Sequence, residues 1–168
     1  MVYNGLLLIQ EPVFFMRLTQ HFHLPEFIAS ETAERLGIPN RPTTEHMRNI
    51  AQLAYAMECL RSGVYNNEYS MVITSGYRCP QLNAAVKGVK TSAHATGYAA
   101  DFYFKGRPIL VAARDVADFL KDSDLPFDQF ILETGRAVMH FSVGPKFRRQ
   151  ILTQEAGPGT PVVPGIVT

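Results

Sequence analysis

Apolar residues recur at three- and four-residue steps through Met47, Ile50, Leu53, Ala54, Met57 and Leu60. That spacing lines one face of a helix and predicts the longest helix of the chain. Thr43 or Thr44 can cap its start, Glu45 stands in its first turn, and Gly63 is expected to end it. Upstream, Phe27, Ile28 and Leu36 form a second helix-like stripe, opened by Pro25 and closed at Gly37. Residues 17–24 read as a short extended lead-in, and the two prolines of Ile38-Pro39-Asn40-Arg41-Pro42 mark a loop.

Beyond Ser70 short apolar runs take over. Residues 71–74 read as a strand turned by Ser75-Gly76, residues 80–86 as a short helix, and residues 88–96 as a loop. A strand over 99–104 should alternate Phe102, Tyr103 and Phe104 between its two sides. Residues 108–120 predict a helix with Val111, Ala112, Val116, Phe119 and Leu120 inward. Strands over 127–133 and 138–143 are joined through Gly135-Arg136, which suits a hairpin. Helices early and strands late imply an α+β domain, a small antiparallel sheet with helices packed against it. The 168 residues suit one domain over 17–150, with 1–16 as an N-terminal extension and 151–168 as a Pro/Gly-rich tail. The last part of that tail, 156–168, is expected to be extended or disordered.

Charge and composition narrow the function. A net charge of +1 argues against a nucleic-acid partner. Lys146, Arg148 and Arg149 are the tightest basic cluster and are expected to be solvated. Two cysteines, Cys59 and Cys79, are too few for a disulfide framework. The early apolar run Leu6-Leu7-Leu8-Ile9 has no basic residue before it and is too short for a secretory signal or a transmembrane span. A monomer is expected.

The chemistry concentrates in Ser92-Ala93-His94-Ala95-Thr96-Gly97-Tyr98-Ala99-Ala100-Asp101. Gly97 and the aromatic run after it argue for a loop entering a strand, with His94 on the loop and Asp101 on the strand beneath. A carboxylate in an otherwise apolar strand is costly to bury unless it is paired or bound to metal. His140, in the apolar run 137–143, can close a triangle with them. Two imidazoles and one carboxylate leave a position open on a zinc ion, the mark of a catalytic site. His21-x-His23 has strand-like chelating spacing, but packing or solvent contact is the better reading. Cys59 reads as a small helical core residue.

Ser92-x-His94-x-x-Gly97-x-Ala99-x-Asp101 resembles the zinc-ligand signature of the D-alanyl-D-alanine carboxypeptidase family of peptidoglycan peptidases. That family includes D-Ala-D-Ala dipeptidases and the L-alanyl-D-glutamate endopeptidases of phage endolysins, and the hedgehog signalling domain shares its fold. Ser75-Gly76-Tyr77-Arg78, residues 127–133, His140-Phe141-Ser142 and a lead-in from His21 to Pro42 extend the likeness over about residues 19–144. The resemblance implies one zinc ion held by His94, Asp101 and His140, with Glu133 as general base. It makes Arg78 the partner of substrate negative charge and gives Ser92 either a substrate contact or a local backbone bond. It also implies peptidoglycan stem peptides as substrate, cut at the D-Ala-D-Ala or the L-Ala-D-Glu bond, after phage-type release or from within a virion. The rival class is a non-catalytic zinc-containing binding or structural module, hedgehog-like or part of a phage particle. Glu133 together with Arg78 favours the enzyme. The family often has an aromatic two or three residues before the last histidine. Here those positions are Val138 and Ala137, so a more open pocket wall is expected. Cys79 follows Arg78 where the family often has serine, but Pro80 suits a helix start there better than a fourth ligand.

Overall fold

A computed structural model describes residues 16–155 and 160–167. Among these the order is α1 (Leu24–Ile28), α2 (Glu31–Leu36), α3 (Thr44–Tyr65), β1 (Met71–Ser75), α4 (Pro80–Ala85), β2 (Ala99–Phe104), α5 (Ile109–Asp122), β3 (Gln129–Glu133), β4 (Val138–Ser142), β5 (Gln150–Gln154) and β6 (Val162–Pro164). Residues 1–15 of the expected N-terminal extension lie outside the described residues.

The apolar stripe of α3 works as read: Ile50, Leu53, Ala54, Met57 and Leu60 are all buried. The Thr43 hydroxyl accepts the His46 N–H while His46 Nδ1 accepts the Thr43 N–H, a reciprocal cap. Gly63 does not end the helix. It lies under α5, where an added Cβ would stand 2.3 Å from the Phe119 ring, so this glycine serves helix packing. Termination falls to Asn66 in the left-handed conformation. The upstream stripe is two helices, because the chain extends at Ala29 and Ser30 and the Ser30 hydroxyl caps α2. The lead-in is a turn rather than an extended segment: Leu18 and Thr19 donate to the Phe22 carbonyl, and Arg17 bridges to His23. Glu58 of α3 latches that turn, accepting from the Thr19 hydroxyl at 2.6 Å and pairing with the His21 ring. In α5 the buried stripe is Ala112, Ala113, Val116, Ala117 and Leu120, while Val111 is turned away and 39% exposed.

The sheet order is β1-β2-β4-β3-β5-β6. Neighbours are antiparallel as expected, with one exception: β5 runs parallel to β3. The chain leaves β4, wraps round the start of β3 and returns on its far side, so Gln129 pairs with both Ser142 and Gln150. Strand structure therefore continues into the span expected as a tail. β5 is short and has glutamines at both ends, and β6 is three residues that end in proline, so neither announces itself; pairing of β5 with β3, and of β6 with β5, makes them strands.

The basic cluster expected to be solvated anchors this wrap. Arg148 grips Asp128 through two nitrogens, each at 2.7 Å. Arg149 donates to the carbonyls of Leu120, Ser123 and Leu125 and lies over the Phe127 ring. Bonding from Arg148, against the opposing effect of burial, holds the Asp128 carboxyl below its ordinary value. A depressed folded pKa contributes stability that is present above the unfolded pKa and is lost as pH falls through the folded one. Asp128→Asn is thus expected to cost about 1–2 kcal/mol at pH 7. The gap between the two melting temperatures should close in acid below about pH 4. A gap that stays constant into acid would count against the ion pair.

Candidate metal centre

Alternation along the central strands decides where the site lies. Ala100, Phe102 and Phe104 of β2 enter the core, as do Phe130 and Leu132 of β3 and Met139 and Phe141 of β4. Asp101, Glu133 and His140 therefore occupy the opposite face. Asp101 and His140 are direct cross-strand partners, and Glu133 pairs with Val138, two residues from His140. The register of β1 against β2 shifts between Ile73 and Ser75, a bulge whose Thr74 hydroxyl donates to the Asp101 carbonyl.

His94 comes from the 3-10 turn Ala93–Thr96, which the Ser92 hydroxyl caps by accepting the His94 N–H. Ser92 therefore makes the local backbone bond. Gly97 closes the turn at φ +79°, and an added Cβ would stand 2.9 Å from the His46 carbonyl oxygen of α3. Asn49 of α3 donates to the Thr96 carbonyl at 2.8 Å. The longest helix thus sets the height of the histidine loop.

The Ser75–Cys79 segment holds His94 from the other side. His94 Nδ1 lies 2.8 Å from the Gly76 carbonyl, and the Arg78 N–H donates to the His94 carbonyl at 3.1 Å. Asn40 braces this segment, donating to the Ile28 and Tyr77 carbonyls and accepting the Cys79 N–H. Gly76 has no room for a side chain, since an added Cβ would stand 2.3 Å from the Phe27 carbonyl oxygen. Gly76→Ala must displace backbone and with it the carbonyl that orients His94. A loss of about 3 kcal/mol is expected, together with weaker retention of any metal that His94 helps to hold. Both are readable by calorimetry and metal analysis, and a wild-type melting curve would sink the idea.

Three ligand atoms converge. His94 Nε2 lies 3.1 Å from Asp101 Oδ1 and 3.2 Å from His140 Nδ1, and the last two are 3.0 Å apart. A tetrahedral ion with bonds of about 2.0 Å has ligands about 3.3 Å apart, so the triangle fits zinc. The proton inventory fits as well. Burial pushes the His94 imidazolium pKa down, leaving a neutral ring whose one proton serves Gly76. Its Nε2 then presents a lone pair. A lone pair and a carboxylate oxygen at 3.1 Å repel unless a cation is shared between them. Among the described residues no cysteine joins this cluster. Cys79 is a free, buried thiol at the start of α4.

The second Asp101 oxygen belongs to arginines. Arg78 Nη2 reaches Oδ2 at 3.2 Å, and its Nε and Nη2 also donate to the Ser75 hydroxyl. Arg136 Nη1 reaches the same oxygen at 3.3 Å and Glu133 Oε2 at 2.9 Å. Burial works against the Arg136 charge, yet Asp101 and Glu133 together raise its pKa above the ordinary value. Arg136 escaped sequence reading because an arginine in a hairpin turn carries no motif. Two clefts meet at this pair of arginines. One, of about 530 Å³, contains His94, Asp101, His140 and Glu133 with Ser92, Lys90 and Lys146. The other, of about 930 Å³, runs along β1 beneath α2.

The sequence model of the peptidase M15 family matches residues 20–138, more than half of the chain. The chain belongs to the peptidase M15 family. The family is zinc-dependent, and the matched span contains Arg78, Ser92, His94, Asp101, Glu133 and Arg136. It stops short of His140, so the third corner of the triangle rests on the geometry above. No curated protein matches the chain. No helix among the described residues is long and apolar enough to cross a membrane.

Proposed function

We propose that the protein is a zinc peptidase that cuts one peptide bond of the peptidoglycan stem, with a single zinc ion held by His94, Asp101 and His140. The observation that carries this reading is the triangle of His94 Nε2, Asp101 Oδ1 and His140 Nδ1, with sides of 3.0–3.2 Å, beside a buried glutamate. Zinc bound there supplies a Lewis acid, which polarises an amide carbonyl and eases the ionisation of water near neutral pH. Glu133 acts as general base and acid. It takes a proton from the attacking water as oxygen joins the carbonyl carbon, and returns it to the leaving nitrogen as the C–N bond breaks. Arg78 holds Asp101 in place and keeps positive charge near the reacting carbonyl, where the oxyanion develops. The bond is either terminal D-Ala-D-Ala or internal L-Ala-D-Glu. A substrate in the wall requires delivery, for which phage-type release or carriage on a virion is the route we propose.

The test is digestion of purified peptidoglycan by the zinc-loaded protein, read by mass spectrometry beside Glu133→Gln. New stem-peptide termini from the wild type alone would support the reading and name the bond. Intact peptidoglycan from protein holding one zinc would refute it in favour of a binding module.

A further inference from the structure

Arg78 and Arg136 share one carboxylate oxygen, yet they differ in what they have left to offer. The Arg78 side chain is 10% exposed, and its Nε and Nη2 are engaged by Ser75 and Asp101. The Arg136 side chain is 39% exposed, and among the described residues only its Nη1 is engaged, by Asp101 and Glu133. Its Nε and Nη2 remain as a free fork on the wall shared by the two clefts. A fork of that kind fits a carboxylate through two parallel hydrogen bonds.

Position says which carboxylate. Arg136 touches Glu133, and Glu133 returns its proton to the leaving nitrogen, so the free fork stands on the leaving-group side of the cut bond. The two candidate bonds have one chemical feature in common there. The leaving residue is either terminal D-Ala or a D-Glu that continues through its side-chain carboxyl, and each carries a free α-carboxylate one carbon from the leaving nitrogen. The site itself holds two carboxylates, Asp101 and Glu133, which repel an anion unless a cation stands between. Arg136 already bridges both.

Building on the peptidase reading, we infer that Arg136 binds the α-carboxylate of the leaving amino acid through Nε and Nη2. The substrate class is then an amide whose leaving residue carries a free α-carboxylate, whichever stem bond is cut. Arg78 is the positioning residue of the pair, acting through Asp101.

Three synthetic peptides test this on the zinc-loaded full chain: L-Ala-γ-D-Glu-L-Lys-D-Ala-D-Ala, its C-terminal amide, and the form amidated at the D-Glu α-carboxyl. In the wild type, amidation beside the cut bond should lower kcat/KM about 100-fold or more, and amidation elsewhere should change it little. Arg136→Ala should cut the acid and amide forms with kcat/KM values within about 3-fold of each other, whatever its overall rate. Arg136→Lys keeps a cation beside Asp101 and Glu133 but has no fork, and should retain about a tenth of the preference or less, which guards against misfolding of the alanine variant. Arg78→Lys should weaken zinc retention and leave the preference intact. An active wild type whose Arg136 variants keep the full preference overturns the assignment alone. A zinc-loaded wild type inert to all three peptides overturns the peptidase reading, and the assignment with it.

Discussion

Asp101→Asn is expected to strip the proposed site of zinc and to destabilise the protein that remains. Asp101 is fully buried and faces four partners: His94 and His140 on one oxygen, Arg78 and Arg136 on the other. The amide keeps the shape and removes the charge. Breaking a buried ionic network from one side costs about 3–5 kcal/mol, because the remaining charges stay buried without their partner. Here the cation left without its partner is Arg78, whose guanidinium burial already pushes down against the pull of Asp101. The ligand set also becomes neutral. Loss of a partner one shell out typically weakens metal binding about 10–100-fold, so loss of a direct ligand's charge should exceed about 100-fold. Metal analysis after dialysis and a melting curve, each against wild type, read the two effects separately. A variant that keeps one zinc per chain would remove Asp101 from the site.

Where the sequence was legible, chemistry forced an unusual residue into a regular pattern. Asp101 interrupts an apolar strand whose neighbours Ala100 and Phe102 are completely buried, and only a partnered carboxylate tolerates that. The amphipathic stripe of α3 and the hairpin of β3 and β4 were readable for a similar reason, since local period and turn residues determine them. What escaped is what tertiary contact alone decides. Gly63 has the composition of a stop signal, but the Phe119 ring above it makes it a packing site. Arg148 and Arg149 have the composition of solvated surface until the chain wraps β3 and brings Asp128 and the end of α5 beside them. Arg136 is one turn residue among many until pairing of β2 with β4 puts Asp101 within its reach.

Glu133→Gln should do the reverse of Asp101→Asn: keep the zinc and lose the reaction. Glu133 is buried with its Oε2 on Arg136 Nη1, and none of the three converging ligand atoms belongs to it. Glutamine preserves the volume and offers an amide oxygen to the same arginine, so the hairpin turn and the triangle should persist. It cannot take a proton from water at neutral pH. General acid–base catalysis contributes about 10²–10⁴-fold, and kcat is expected to fall by that factor. KM should hold, because the variant leaves the free edge of Arg136 in place for the substrate. Single-turnover rates on a stem peptide, with zinc content and melting temperature measured on the same sample, separate this outcome from unfolding. Activity within about tenfold of wild type would assign the proton to another group.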